Sequence, residues 1–182
     1  MKICIFCSSA ENLEEKYYIE ASKIAKLLID KNQTLVTGGA NVGIMKTLGI
    51  EFKKHNAKSI GILPQQFTHR NLISYDYSEI IITKDMSERK KHLIDISDIF
   101  IIFPGGIGTI DELFELLTLK MVFKIDKPVI LYNFEGFYKN IIEFIEQLKT
   151  KSFMPNQNYF QQAPNISELE TLINKILKKN AN

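Results

Sequence analysis

Short apolar runs alternate along the chain with longer stretches whose apolar residues recur at helical spacing. Lys2–Phe6 (KICIF) reads as a strand entering a polar turn at Ser8–Ser9. Between Glu14 and Lys31, the residues Tyr17, Ala21, Ile24, Ala25 and Leu28 fall on one face of a helix. Thr34–Thr37 (TLVT) is a second strand running into Gly38–Gly39, and a helix follows from about Val42 to His55. Ser59–Leu63 and Glu79–Thr83 read as strands on either side of a polar segment, Gln65–Asp76, that shows no period. Asp85 and Glu88 have the spacing of an N-cap and its capping-box partner for a helix ending near Ile96. Ile99–Phe103 (IFIIF) is continuously apolar, as expected of a strand buried on both faces. A helix from Thr109 to about Phe123, a strand at Pro128–Tyr132 and helices near Gly136–Lys149 and Ser167–Lys178 complete the order.

Strands that alternate with helices predict parallel pairing with right-handed crossovers. The expected fold is a single-domain α/β protein, a doubly wound, mostly parallel sheet flanked by helices. Such sheets bind ligands beyond the carboxyl ends of their strands. Four turns belong at that edge: Ser8–Ser9, Gly38–Gly43, Met86–Lys90 and Gly105–Glu112.

Composition narrows the partners. A net charge of +2 over 182 residues leaves no broad basic face for nucleic acid or a membrane surface. The basic KILKKN end reads as a solvated helix terminus. No apolar run approaches the roughly 20 residues of a membrane span, and the apolar start is too short for a secretion signal, so a cytoplasmic protein is expected. Cys4 and Cys7 sit in the first strand on opposite faces and read as buried free thiols. His55, His69 and His92 are scattered without metal-ligand spacing.

The glycine-rich turns match neither common nucleotide fingerprint. GGANVG (Gly38–Gly43) has the outer glycines of a P-loop, but Ile44 and Met45 stand where lysine and a hydroxyl are required. The first strand ends in CSSAE rather than in a G-x-G-x-x-G turn, which argues against NAD or FAD. PGGIGT remains as an anion loop in its own right. Gly105, Gly106 and Gly108 can turn backbone N–H groups toward a ligand at a helix start.

Carboxylates follow that loop at once. Glu112 admits two readings: the second half of a capping box with Thr109, or a chemical group. Asp111 suits the first turn of a helix, and Glu115 lies three residues beyond Glu112 on the same side. Arg89-Lys90-Lys91 reads either as a solvated basic face or as a phosphate grip near the ligand edge.

The segment ERKKHLIDISDIFIIFPGGIGTIDELFE resembles the LONELY GUY family of phosphoribohydrolases, which release cytokinin bases from nucleoside 5′-monophosphates. The family pattern PGGxGTxxE is met in full by Pro104–Glu112, and its arginine–lysine pair by Arg89-Lys90. The resemblance extends over nearly the whole chain. It implies a Rossmann-like homodimer that hydrolyses the N-glycosidic bond of a nucleoside monophosphate. Arg89 and Glu112 fall on its catalytic positions. Gly105, Gly106, Gly108 and Thr109 fall on its phosphate loop, with Ser8, Ser9, Gly38, Gly39, Gly43, Lys90 and Glu115 as further substrate-binding candidates. No cofactor and no metal are implied.

Several positions depart from the family pattern. Ala40 replaces the third glycine of the family's GGGxxGxMG and Lys46 the last. Ser87 stands where histidine is common, Leu119 where tryptophan is common, and the first turn is Ser8-Ser9-Ala10. These changes bear on pocket shape and base preference. Some relatives carry a lysine decarboxylase label, but no lysine here sits in a recognisable pyridoxal phosphate loop.

A physical reason links the loop to the acid. N-glycosidic cleavage passes through an oxocarbenium-like sugar, which needs fixed negative charge beside a bound phosphate. On this reading the helix dipole keeps Glu112 ionised, Arg89 orients the substrate, and the group that protonates the leaving base is unassigned. A non-catalytic nucleotide-binding or carrier protein on the same fold is the alternative, and an interaction protein with a vestigial site is a third.

Overall fold

The computed structural model describes residues 1–68 and 72–180. His69 therefore lies outside the described residues. Among the described residues, seven strands form one fully parallel sheet in the order β4-β3-β2-β1-β5-β6-β7. The strands are β1 (Lys2–Phe6), β2 (Thr34–Thr37), β3 (Ser59–Pro64), β4 (Glu79–Thr83), β5 (Ile99–Ile102), β6 (Val129–Tyr132) and β7 (Gln161–Ala163). The helices are α1 (Glu15–Asp30), α2 (Gly43–Lys54), a single turn α3 (Gln65–Thr68), α4 (Met86–Ile96), α5 (Ile107–Phe123), α6 (Lys139–Thr150) and α7 (Ile166–Lys179). The expected doubly wound α/β class is what forms.

Alternation in the central strands separates two cores. Ile3 and Ile5 point into one, with Ala21, Ile24 and Leu28 of α1, Leu48 and Phe52 of α2, and Leu169 and Ile173 of α7. Cys4 and Phe6 point into the other, with Leu93 of α4, Leu113, Leu116 and Leu117 of α5, and Ile145 of α6. Ile3, Cys4, Phe100, Ile101 and Ile102 are all fully buried, as strands covered on both faces must be.

Helix ends follow local chemistry. Asn32 and Asn56 adopt left-handed φ values of 54° and 51° just beyond α1 and α2, a conformation asparagine tolerates at helix C-termini. Asp85 caps α4 by accepting the Glu88 N–H at 2.8 Å, while the Glu88 carboxylate accepts the Lys84 N–H at 2.6 Å.

One strand was not expected, and two expectations need correction. β7 pairs with β6 through Gln161 and Gln162, polar residues that give an edge strand no apolar signal. Part of Gln65–Asp76, expected as loop throughout, forms the turn of α3. Cys7 lies one residue beyond β1. It still faces away from Cys4, packing against the first core, and burial pushes both thiols up.

Candidate active site

The chain runs from β1 outward to β4, then crosses back to β5 and continues to β7. The reversal leaves β1 and β5 adjacent with their following loops diverging. This is the switch point at which open α/β sheets bind ligands. A cleft of about 530 Å³ lies there. All four turns expected at this edge contribute to it: Ser8 and Ser9, Gly38, Met86 and Arg89, and the Gly106–Thr109 stretch with Glu112.

Arg89 and Glu112 meet across this cleft. Arg89 Nη1 lies 3.7 Å from Glu112 Oε1, and each side chain is only 11% exposed. The guanidinium is fixed from behind, because Arg89 Nε donates to the Ile62 carbonyl at 3.0 Å. Gly38 provides the room. A Cβ there would sit 2.0 Å from Arg89 Nη2 and 2.9 Å from Met45 Sδ.

The Gly38 turn is itself anchored by a buried relay. The Gly39 N–H donates to Thr37 Oγ1 at 3.0 Å, Thr37 donates to the Tyr77 hydroxyl at 2.6 Å, and Tyr77 donates to the Met45 carbonyl at 2.8 Å. Gly39 packs its Cα against Gly61 and does not line the cleft. Gly43, at φ 53°, lets α2 approach the first loop so closely that a Cβ would meet the Ser8 carbonyl at 2.6 Å. That carbonyl accepts the Ile44 N–H at 3.0 Å, so Ser8 is held by the start of α2.

The loop after β5 has a different character. Gly105 is tight, since a Cβ would strike Thr109 Oγ1 at 2.2 Å. Gly106 and Gly108 have no such reason. Nothing lies within 4 Å of a Cβ added at either, and neither has a positive φ. Both line the cleft. Helix α5 closes its first intrahelical bond from the Ile110 N–H to the Gly106 carbonyl at 3.1 Å. The amides of Ile107, Gly108 and Thr109 precede that bond and have no acceptor within the helix. Bare backbone facing an open cleft at a helix N-terminus suits an anion.

α5 begins two residues earlier than expected, with Gly106 as its N-cap and no side-chain cap. Thr109 is therefore inside the helix and buried, and the capping-box reading of Glu112 fails. The expectation that the dipole keeps Glu112 ionised fails as well. Glu112 is the sixth helical residue, past the turn where the dipole acts. Loss of water pushes its carboxyl from 4.5 up to about 7, opposed by the Arg89 charge, with Asp111 and Glu115 adding to the rise and Lys90 opposing it.

Lys90 and Glu115, expected among the substrate ligands, do not line the cleft. Lys90 Nζ instead donates to Asp111 Oδ2 at 3.0 Å and lies 2.8 Å from Glu115 Oε2. Sequence reading missed the apolar wall, formed by Val42, Met45, Phe67, Leu72 and Met86, with Ile107 82% exposed at the rim. An isoleucine so exposed at a helix start is the one signal that could have marked it, and only against a known helix boundary. No cluster of three or more metal-binding side chains occurs among the described residues.

With this geometry, similarity to known proteins can be placed. Residues 43–176 match the family described as "possible lysine decarboxylase". The cytokinin riboside 5′-monophosphate phosphoribohydrolase LOG5 of Arabidopsis thaliana is 34% identical over 170 residues, 92% of this chain and 75% of the relative. LOG2 of the same plant, which carries the same enzyme name, is 31% identical over 98% of this chain and 84% of its own. Among solved structures, the molybdenum cofactor binding protein of Rippkaea orientalis superposes with TM-score 0.74 and 26% identity over 97% of this chain and 96% of its own. A molybdenum cofactor carrier protein of Chlamydomonas reinhardtii shares the fold, with TM-score 0.75 and 20% identity over 97% and 98% of the two chains.

Proposed function

The chain belongs to the possible lysine decarboxylase family, which includes the LONELY GUY phosphoribohydrolases, and from that premise we propose that it hydrolyses nucleoside 5′-monophosphates. The bond cleaved is the N-glycosidic bond, and the products are the free base and ribose 5-phosphate. The substrate is AMP or an N6-modified AMP of the cytokinin type, and the names of the relatives favour the second.

One observation carries the reading. A buried Arg89–Glu112 couple faces unencumbered glycine backbone at a helix start, across one cleft at the switch point of the sheet. The phosphate sits on the amides of Ile107–Thr109, and Ser8, Ser9 and Gly38 border it. Arg89 grips phosphate or ribose and orients the sugar. Glu112 stands beside the anomeric carbon.

Its raised proton affinity removes a difficulty in the chemistry. A carboxyl near 7 is populated in both forms at neutral pH. Protonated, it can deliver its proton to the departing base. Ionised, it stabilises the oxocarbenium-like sugar and then takes a proton from the attacking water, which restores the acid. One residue thus covers both roles, and the sequence left the acid unassigned. The apolar wall of Val42, Phe67, Leu72 and Met86 suits the face of the base. We further propose a cytoplasmic homodimer in which the chain is one domain. No helix among the described residues is long and apolar enough to cross a membrane.

A carrier role on the same fold is the second reading, favoured by likeness to the Rippkaea orientalis protein. Incubation with AMP and N6-isopentenyl-AMP separates the two. Free base is expected. Folded protein that binds nucleotide and releases no base from any monophosphate would establish the carrier instead.

A further inference from the structure

Three charged side chains outside the cleft lie beside both members of the Arg89–Glu112 couple in sequence. Lys90 follows Arg89 on α4. Asp111 precedes Glu112 on α5, and Glu115 lies almost one turn beyond it. Lys90 bridges the two helices by contacting both carboxylates, at 3.0 and 2.8 Å. Its side chain is 23% exposed, less than Glu115 at 32% or Asp111 at 60%.

We propose that Lys90 is a positioning residue rather than a phosphate ligand, clasping Asp111 and Glu115 across the seam between α4 and α5 so that Arg89 and Glu112 keep their register. The inference rests on the couple being the reactive centre proposed above.

Two arguments support the clasp. The first is geometric. To reach a phosphate on the Gly106–Thr109 amides, Lys90 would have to leave two carboxylates, at the cost of two charged contacts. Arg89 and Glu112 sit on different helices at a separation of 3.7 Å, so a small slide of α4 along α5 would break or overclose the couple.

The second is electrostatic. Glu112 is faced by Arg89 and Lys90 from α4, by Asp111 and Glu115 from its own helix, by Cys4 of β1 and Cys7 just beyond it, and by Tyr138. Burial raises Cys4, Cys7 and Tyr138 far above neutrality, so all three are uncharged near pH 7. Arg89, Lys90, Asp111 and Glu115 are then the charges that matter, and Lys90 offsets one of the two negative charges beside it. Lys90 is itself held above its ordinary value, chiefly by the Glu115 carboxylate 2.8 Å away. Removing Lys90 exposes Glu112 to two uncompensated negative charges. Removing Glu115 does the reverse.

The test compares Lys90→Met, Lys90→Arg and Glu115→Gln. Titration of the Glu112 side-chain carboxyl by carbon NMR reads its protonation without needing turnover. Calorimetry reads affinity for ribose 5-phosphate, and steady-state assays read kcat. In Lys90→Met the Glu112 midpoint moves upward, in Glu115→Gln it moves downward, and Lys90→Arg restores it. Ribose 5-phosphate affinity in Lys90→Met stays within about twofold, while kcat falls about tenfold through lost positioning. A loss of affinity of about tenfold or more in Lys90→Met identifies a phosphate ligand and overturns the proposal. Midpoints that stay fixed or move the same way in both variants also overturn it. Should Lys90→Met fail to fold, Lys90→Gln against Glu115→Gln decides by the same criteria. Absence of turnover in the unmodified protein refutes the hydrolase and leaves the NMR comparison in force.

Discussion

Replacing Glu112 by glutamine removes one charge and changes almost no volume. The side chain is 11% exposed, and burial displaces its proton affinity from 4.5 to about 7 against the opposing pull of Arg89. At about 1.4 kcal/mol per pH unit, that displacement corresponds to about 3 kcal/mol. The sign follows from the direction. A carboxyl that binds its proton more tightly in the folded state leaves stability intact below its unfolded value of 4.5. That stability is lost as pH rises through about 7, because the folded protein must then hold a buried carboxylate. Glutamine resembles the protonated acid at every pH.

Wild type and Glu112→Gln should therefore have the same stability near pH 4 and part as pH rises. Above pH 8 the variant should be the more stable by about 3 kcal/mol, or roughly 6–12 °C in melting temperature for a chain of this size. Base release should fall about a hundredfold or more in the same variant, the usual span for losing a general acid–base group. Urea or thermal unfolding at a series of pH values, with parallel nucleotide assays, measures both. A gain in stability together with a loss of activity marks a residue whose burial serves chemistry. Parallel stability curves would refute the argument from burial, and full activity in the variant would refute the role.

Other substitutions separate shape from contact. Gly38→Ala places a methyl carbon 2.0 Å from Arg89 Nη2, so the guanidinium must leave its bond to Ile62. Its nucleotide affinity should fall at least tenfold, and the fall should shrink in an Arg89→Lys background, where calorimetry on the double-mutant cycle reads the coupling. Gly106→Ala and Gly105→Ala should differ in kind. The first meets nothing within 4 Å and should change melting by less than the equivalent of about 0.5 kcal/mol while weakening AMP binding. The second strikes Thr109 and should destabilise by about 1–3 kcal/mol, visible in melting without ligand.

Much of the fold was legible because its signals are local. IFIIF, KICIF and VILY are apolar on both faces, and parallel strands covered by helices require that pattern. The Asp85 cap and the stripe of Leu113, Leu116 and Leu117 follow from short-range spacing, and all three leucines are buried. β7 was not legible. Gln161 and Gln162 join the sheet only because Ile130 and Leu131 offer an open edge, a fact about β6 rather than about the glutamines.

The site divides along the same line. Glycines, an arginine and an acid near strand ends could be read from sequence, since topology alone brings those ends together. What each does there depends on neighbours distant in the chain. Gly38 looks like another anion-loop glycine, yet its space is filled by a guanidinium from fifty-one residues further on. Lys90 looks like half of a phosphate grip, yet two carboxylates twenty-one and twenty-five residues away hold it aside. The starting residue of α5 decides the most. Because the helix opens at Ile107, Thr109 is interior and Glu112 lies beyond the reach of the dipole. Its charge is then governed by burial and by Arg89. A shift of two residues in a helix boundary, within the ordinary uncertainty of any sequence reading, thus changes an expected permanent anion into a group that can both give and take a proton.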